Sequence, residues 1–259
     1  VSLFERALRA AFSVGPVSTG TFVFTGLSLS YSAGSGRRAP RLWVDQTPYI
    51  DPIDDIPVSA ARRAEPSAAV TASELTDYRR ATGALLWAAG QTLPHLACGS
   101  AVLARHFRHA LVSDLVRANL TIAAARRSRD LGLRFRPVRG PPCLYLYTNS
   151  SAVSLRSSAA QSGWAIFLGS TGGATRPSSS SVVPAGVVGD LLAWGSHRQR
   201  RVTHSSFAAE AFSLLQGLHA ALGVADVARL LLSGLGGDVL PVHAFIDSRS
   251  LYDALTSSA

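Results

Sequence analysis

Lysine and methionine are absent from these 259 residues, and only two cysteines occur, Cys98 and Cys143. Two distant thiols supply no disulfide framework, and without clustered histidines they supply no zinc site. A reducing, intracellular compartment is the expectation. No run of about 18 apolar residues stands out, so no membrane partner is expected. No basic-then-apolar leader opens the chain, so secretion is not expected. Without methionine even at position 1, the chain is expected to be an internal piece of a longer polypeptide. A phosphate loop that needs Lys is excluded, and no Gly-x-Ser-x-Gly elbow supports a hydrolase.

Acids are also few. Asp and Glu number 16 against 25 basic residues, all Arg, which leaves a net charge of +9. Arg forks suit phosphate better than Lys point charges do. The excess favours a polyanion, and nucleic acid is the commonest one. A GC-rich coding bias also writes Arg for Lys. The nine Arg from Arg105 to Arg139 are the densest basic stretch. They read as a surface following a nucleic-acid backbone or as a solvated helix face. Arg126, Arg127 and Arg129, with Arg198, Arg200 and Arg201 further on, are the candidate contacts.

Phe4, Leu8, Ala11 and Phe12 fall at helical spacing before Gly15-Pro16. Residues 21–29 predict a strand with a bulge at Gly26, residues 32–38 a hairpin loop, and residues 41–44 a second strand. Three prolines make 51–70 an irregular linker. Thr71-Ala72-Ser73-Glu74 is a capping box. Leu75, Tyr78, Thr82, Leu85, Leu86 and Ala89 then form an apolar stripe. Pro94 suits the first turn of the next helix, and a third helix runs from Val112 to Arg127.

From Pro141 the pattern changes. Strands are expected at 143–148, 163–169, 190–195 and 242–246. A helix capped by Ser205 or Ser206 runs to Leu222, and another starts at Ser248. Residues 170–181 form a Ser/Gly-rich loop. The order β-β-β-α-β-α predicts an α/β fold: three antiparallel strands and a crossover helix leading to a parallel fourth strand.

In the helix after Ser206, Phe207, Ala211, Leu214, Leu215, Leu218 and Leu222 form the expected core face. Glu210 lies at its edge and faces the sheet. Asp247 ends an apolar strand, where open α/β sheets place ligand sites. Asn149 ends the first strand of the same sheet. Converging carboxylates at such a point hold Mg²⁺ ions that activate water and stabilise a leaving oxygen on phosphate. Asn149 offers only a neutral carbonyl oxygen. Taken singly, Glu210 also reads as a helix-edge acid paired with Arg, and Asp247 as a helix cap.

Several stretches share their order with one family. They are Tyr147-Thr148-Asn149-Ser150-Ser151, Ser162-Gly163-Trp164-Ala165-Ile166-Phe167-Leu168-Gly169, Ala193-Trp194-Gly195-Ser196-His197-Arg198-Gln199, Val202-Thr203-His204-Ser205-Ser206, Ala209-Glu210-Ala211 and Phe245-Ile246-Asp247-Ser248-Arg249-Ser250-Leu251. Upstream lie Val44-Asp45-Gln46-Thr47-Pro48-Tyr49-Ile50 and the helix around Tyr78-Arg79-Arg80. The chain resembles the end of a copia-type retrotransposon Pol polyprotein, with part of a reverse transcriptase and its ribonuclease H domain. The resemblance implies a ribonuclease H-like mixed sheet from 141 to 259. It implies a thumb- or connection-like hairpin and linker over 1–70, and a helical connection region over 71–140. It implies two-metal cleavage of the RNA strand of an RNA–DNA hybrid, with Mg²⁺ or Mn²⁺ weakly held. Glu210 and Asp247 match the second and third metal acids, and Asn149 stands at the first. The fourth acid belongs to a later segment, so impaired cleavage is expected. The partners implied are nucleic acid and the upstream polymerase domain of the same polyprotein, in a cytoplasmic particle or the nucleus. The alternative is a non-catalytic nucleic-acid-binding remnant.

Overall fold

The computed structural model describes residues 6, 9–13, 15, 18, 20–36, 38–151, 160–170, 189–200, 203, 205–232 and 240–257. Phe4, Leu8 and the loop expected at 171–181 lie outside them, as do Arg201 and His204.

Residues 21–32 do not form one bulged strand. They fold as a hairpin of β1 (Thr21–Phe24) and β2 (Leu27–Ser32), with Phe24 opposite Leu27. Thr25 and Gly26, at φ 49° and 80°, make the two-residue turn. Both central residues of such a turn need the left-handed region, which matches the twist of the flanking strands. β3 (Arg41–Asp45) pairs antiparallel with β2, and β4 (Leu133–Phe135) adds to its other side. The sequence reading contained no β4. Its three residues are recruited by β3, and Arg134 stacks 5.5 Å from the Trp43 ring.

After α1 (Thr47–Ile50), the proline-containing stretch is anchored. Ile53, Ile56 and Val58 join the buried core of the helices, and α2 (Ala60–Arg63) follows. The Asn119 amide behaves like a neighbouring strand. It accepts from the Ile56 N–H at 2.8 Å and donates to the Ile56 carbonyl at 2.9 Å. Arg126 donates to the Ile53 carbonyl and to Asp55 at 3.0 Å, and Arg129 lies 3.3 Å from Asp51. Two of the arginines expected on nucleic acid therefore hold this segment. Arg127 stays exposed.

The core is built on α3 (Ala72–Gln91), a 3₁₀ turn (Pro94–Leu96), α4 (Ala97–Arg105) and α5 (Val112–Arg127). The capping box at Thr71 is present. Thr71 Oγ1 accepts from the Glu74 N–H, and Glu74 accepts from the Thr71 N–H at 2.7 Å. Arg62 also donates to both Glu74 oxygens at 2.9 Å. Arg62 first, then the Thr71 N–H, hold the Glu74 carboxyl down to about 2 from its ordinary 4.5. A carboxyl lowered by folding stabilises the protein above its unfolded value. That contribution is lost as pH falls from 4.5 towards about 2. Unfolding curves over this window should be flatter with pH in Glu74→Gln than in the parent. An unchanged slope would remove Glu74 from the acid sensitivity.

The second sheet has strand order β7-β6-β5-β8. β5 (Pro142–Ser151), β6 (Gln161–Ser170) and β7 (Asp190–Arg198) form an antiparallel meander. α6 (Ser206–Leu232) crosses to β8 (Val242–Ile246), which pairs parallel to β5, and α7 (Arg249–Thr256) follows. The result is a mixed α/β fold whose second sheet is four-stranded with one parallel pair.

α6 is longer than expected, and half of its expected core face is borne out, with Leu214 buried and Ala211 and Leu218 packed against the core. Leu214, Ala221 and Ala225 enter the core with Leu144, Leu146 and Ile166. Phe207, Leu215 and Leu222 are 40–54% exposed. Small residues face the sheet because helix and strand approach closely. A Cβ on Gly217 would stand 2.6 Å from Thr148 Cγ2. Over Ser206–Leu230, α6 is also apolar and long enough to cross a membrane by composition alone. The reading of the sequence found no such run; in the fold this helix lies along β5 and β6.

Among the described residues, side-chain contacts with the helices and with the segment after β4 tie the first part of the chain to this sheet. The Trp194 indole N–H donates to the Ala89 carbonyl at 2.7 Å. Arg105 donates to Gln161 at 3.0 Å. Arg136 grips Asp190, with its Nε 2.9 Å from Oδ1.

Candidate functional site

Pleating decides where the site residues stand. Leu146 and Thr148 project towards Gly217 on α6. Tyr147 projects the other way and stacks on Phe245, with ring centroids 4.9 Å apart. Alternation therefore gives Asn149 the face opposite α6. Thr148 pairs with Ile246 in the parallel ladder, so Asp247 comes level with Asn149 on the neighbouring strand. Asn149 and Asp247 are both exposed.

Glu210 arrives from the α6 side. Ser205 starts this helix by accepting from the Ala208 N–H at 3.1 Å. The first turns then carry Glu210 to β5, where it is only 8% exposed. Among the described residues its partner is Ser150 rather than an Arg. The Ser150 N–H lies 3.1 Å from both carboxylate oxygens, and the Ser150 hydroxyl donates at 2.7 Å. A nearly buried carboxylate needs such donors, since without them the charge is costly to hold. Ser213, one turn later, donates to the Asn149 carbonyl at 2.6 Å and fixes the backbone at the amide.

The cap reading of Asp247 does not hold. Ser248 caps α7, accepting from the Leu251 N–H. Asp247 is left at the strand tip without a structural task among the described residues. The three positions lie at one end of the sheet, but Glu210 reaches Ser150 from the α6 face, whereas Asn149, level with Asp247, takes the other face. No hydrogen bond links their side chains to one another among the described residues. Ser150 was not anticipated as a partner of Glu210. A serine directly after the strand-ending amide was the available signal.

The donor set is two carboxylates and a neutral amide. Among the described residues, no group of three His, Cys, Asp or Glu comes together. Paired Mg²⁺ ions need more anionic oxygen than this. When bound in such sites, the metals supply an activated water and a stabilised leaving oxygen. These residues do not fit that pair of ions.

The expected nucleic-acid contacts divide. Arg126 and Arg129 serve the fold, as described. Arg198 and Arg200 are exposed and form no ion pair among the described residues. They line a groove of about 860 Å³ between α3, α4, the end of β7 and the outer face of α6. Gln199, between them, is 2% exposed and donates to Ser162 and to the Ala209 carbonyl, one residue from Glu210. The groove therefore opens beside the end of the sheet that carries Asn149, Glu210 and Asp247. No family model matches this chain, and no curated protein matches it in sequence.

Proposed function

We propose that the second sheet and α6 form a ribonuclease H-like domain, attached to the end of a retrotransposon-type reverse transcriptase, that binds RNA–DNA hybrid and cleaves its RNA strand poorly. The observation that carries this reading is the topology. A three-stranded meander, a crossover helix and a parallel fourth strand beside the first put Glu210, Asp247 and position 149 at the same end of the sheet. An acid from a helix and an acid from a strand tip, both at the carboxyl end of a parallel pair, occupy the place where open α/β sheets put ligand sites. The Arg excess suits the polyanionic partner. The poor metal set, with Asn149 in place of an acid, accounts for weak chemistry. The partners in this reading are the hybrid and an upstream polymerase domain of the same polyprotein.

The second reading, a binding remnant without catalysis, is favoured by the same amide and by the engagement of Glu210 with Ser150. A labelled RNA–DNA hybrid incubated with the protein in Mg²⁺ or in chelator separates the two. Slow, Mg²⁺-dependent loss of the RNA strand that Asp247→Asn abolishes supports the nuclease. Hybrid binding with no cleavage leaves the remnant. Failure to bind hybrid would sink both.

A further inference from the structure

α6 carries more apolar surface than the described residues of the fold cover. Its inner face lies on β5 and β6, but on its outer face Leu215, Leu222, Val227 and Leu230 are 48–71% exposed. Steps of seven and eight residues keep Leu215, Leu222 and Leu230 on one side of a helix. A leucine row left in water favours whatever removes it from water. Gly223 stands beside this row, with nothing within 4 Å of its would-be Cβ, so another backbone can approach closely there.

The row runs into the groove of about 860 Å³ between α3, α4 and α6. Leu215 lies in one wall, and Leu86, Ala101 and Ala104 lie in the other. The charge comes from the end of β7. Arg198 and Arg200 are exposed there without acidic partners, and no acid lines the groove, among the described residues. Arg105 is close enough to feel them: burial first, and then the Arg198 charge, holds its guanidinium below the ordinary pKa. A carboxylate seated beside these guanidiniums relieves their repulsion and matches their fork geometry.

The groove thus joins an aliphatic row to a cationic end. A duplex, whose outside is phosphate and sugar, would leave the leucines uncovered. The bases of a single strand stack on aromatic rings, and this row is aliphatic. A flat bilayer cannot enter a recess between helices. An amphipathic helix with acidic residues at one end uses both features, since grooves between helices accept the ridges of another helix.

We propose that the groove and the outer face of α6 dock an amphipathic helix of a protein partner, its apolar row on Leu86, Leu215 and Leu222 and its acidic end on Arg198 and Arg200. This docking goes beyond the nuclease reading and does not depend on hybrid binding or cleavage.

The test titrates the protein, at about 0.15 M salt, with a fluorescent peptide of about 18 residues that carries leucines at helical spacing and glutamates at one end. A peptide of the same composition in scrambled order is the control. The ordered peptide should bind at least about tenfold more tightly than the scrambled one. Leu215→Asp should cost the ordered peptide at least about tenfold and leave hybrid binding at the parent level. Leu222→Asp reads the same row should the first variant melt early. Arg198→Gln combined with Arg200→Gln should weaken the ordered peptide by a similar factor. Melting temperatures of all variants report whether the fold is kept. Equal binding of ordered and scrambled peptides would overturn the proposal, because charge alone would then explain it. Displacement of the peptide by an equal amount of single-stranded RNA would overturn it too, and would give the groove to nucleic acid. Peptide docking without hybrid binding would sink only the nuclease reading above, and hybrid binding without preference for the ordered peptide would sink only the docking.

Discussion

Replacing Gly217 by valine should lower the stability of the protein by about 3 kcal/mol and its melting temperature by roughly 6–12 °C. A Cβ there would meet Thr148 Cγ2 at 2.6 Å, Leu146 Cδ1 at 2.9 Å and Trp164 Cβ at 3.3 Å. Leu146 and Thr148 are themselves buried. They have no room to retreat, so α6 must lift from the sheet. Lifting α6 also withdraws Glu210 from Ser150, and binding at the end of the sheet should weaken together with stability. Gly223, on the same helix, is the control. Nothing lies within 4 Å of its would-be Cβ, so Gly223→Ala should stabilise by about 0.5–1 kcal/mol. A Gly217→Val protein that melts with the parent would show that α6 does not press on β5.

Asn149→Asp should raise Mg²⁺-dependent cleavage of the hybrid about 100-fold, the scale on which single charge-stabilising groups act in catalysis. The substitution puts a third carboxylate level with Asp247 and next to the residue that Glu210 grips. Two signs should accompany the gain. Without metal, three acids at one strand end repel, so the variant should melt below the parent. Added Mg²⁺ should then raise the melting temperature of the variant more than that of the parent, because the ion binds only the folded site. Asn149→Ala should show neither effect. A variant with no gain in cleavage and no Mg²⁺-dependent melting shift would disprove position 149 as the missing ligand.

Much of this was legible in the sequence where local chemistry and tertiary need agree. The Thr71 to Glu74 capping box, Pro94 at a helix start and the order of β5, β6, β7, α6 and β8 all follow from caps, breakers and apolar runs. Other features depended on partners far along the chain. Arg126 and Arg129 also hold Asp55, Asp51 and the Ile53 carbonyl, partners that lie too far along the chain for local pattern to reveal. β4 has too few residues to announce itself and exists because β3 has an open edge. α6 is apolar nearly all round, so periodicity chose only part of its buried face: Ala211, Leu214 and Leu218 meet the core, whereas Phe207, Leu215 and Leu222 do not. Close approach chose the rest, favouring Gly217 and Ala221 over Leu215 and Leu222. The alternation of residues 21–29 hid a turn, since Thr25-Gly26 interrupts the run without changing its polarity pattern. At the site, strand order brings three positions to one end of the sheet, but no sequence pattern says that Glu210 and Ser150 satisfy each other or that Asn149 takes the face away from α6.

The parallel pairing of β5 with β8 joins Leu144 to Val242, segments about 100 residues apart. Contacts of such long range form late, because the loop between them must close before they give anything back. A chain emerging from the ribosome can therefore complete its arginine-bearing helices and its antiparallel ribbon while Asp247 is still unmade. On the proposed reading, the surface for a polyanion is complete before Asp247 joins the end of the sheet.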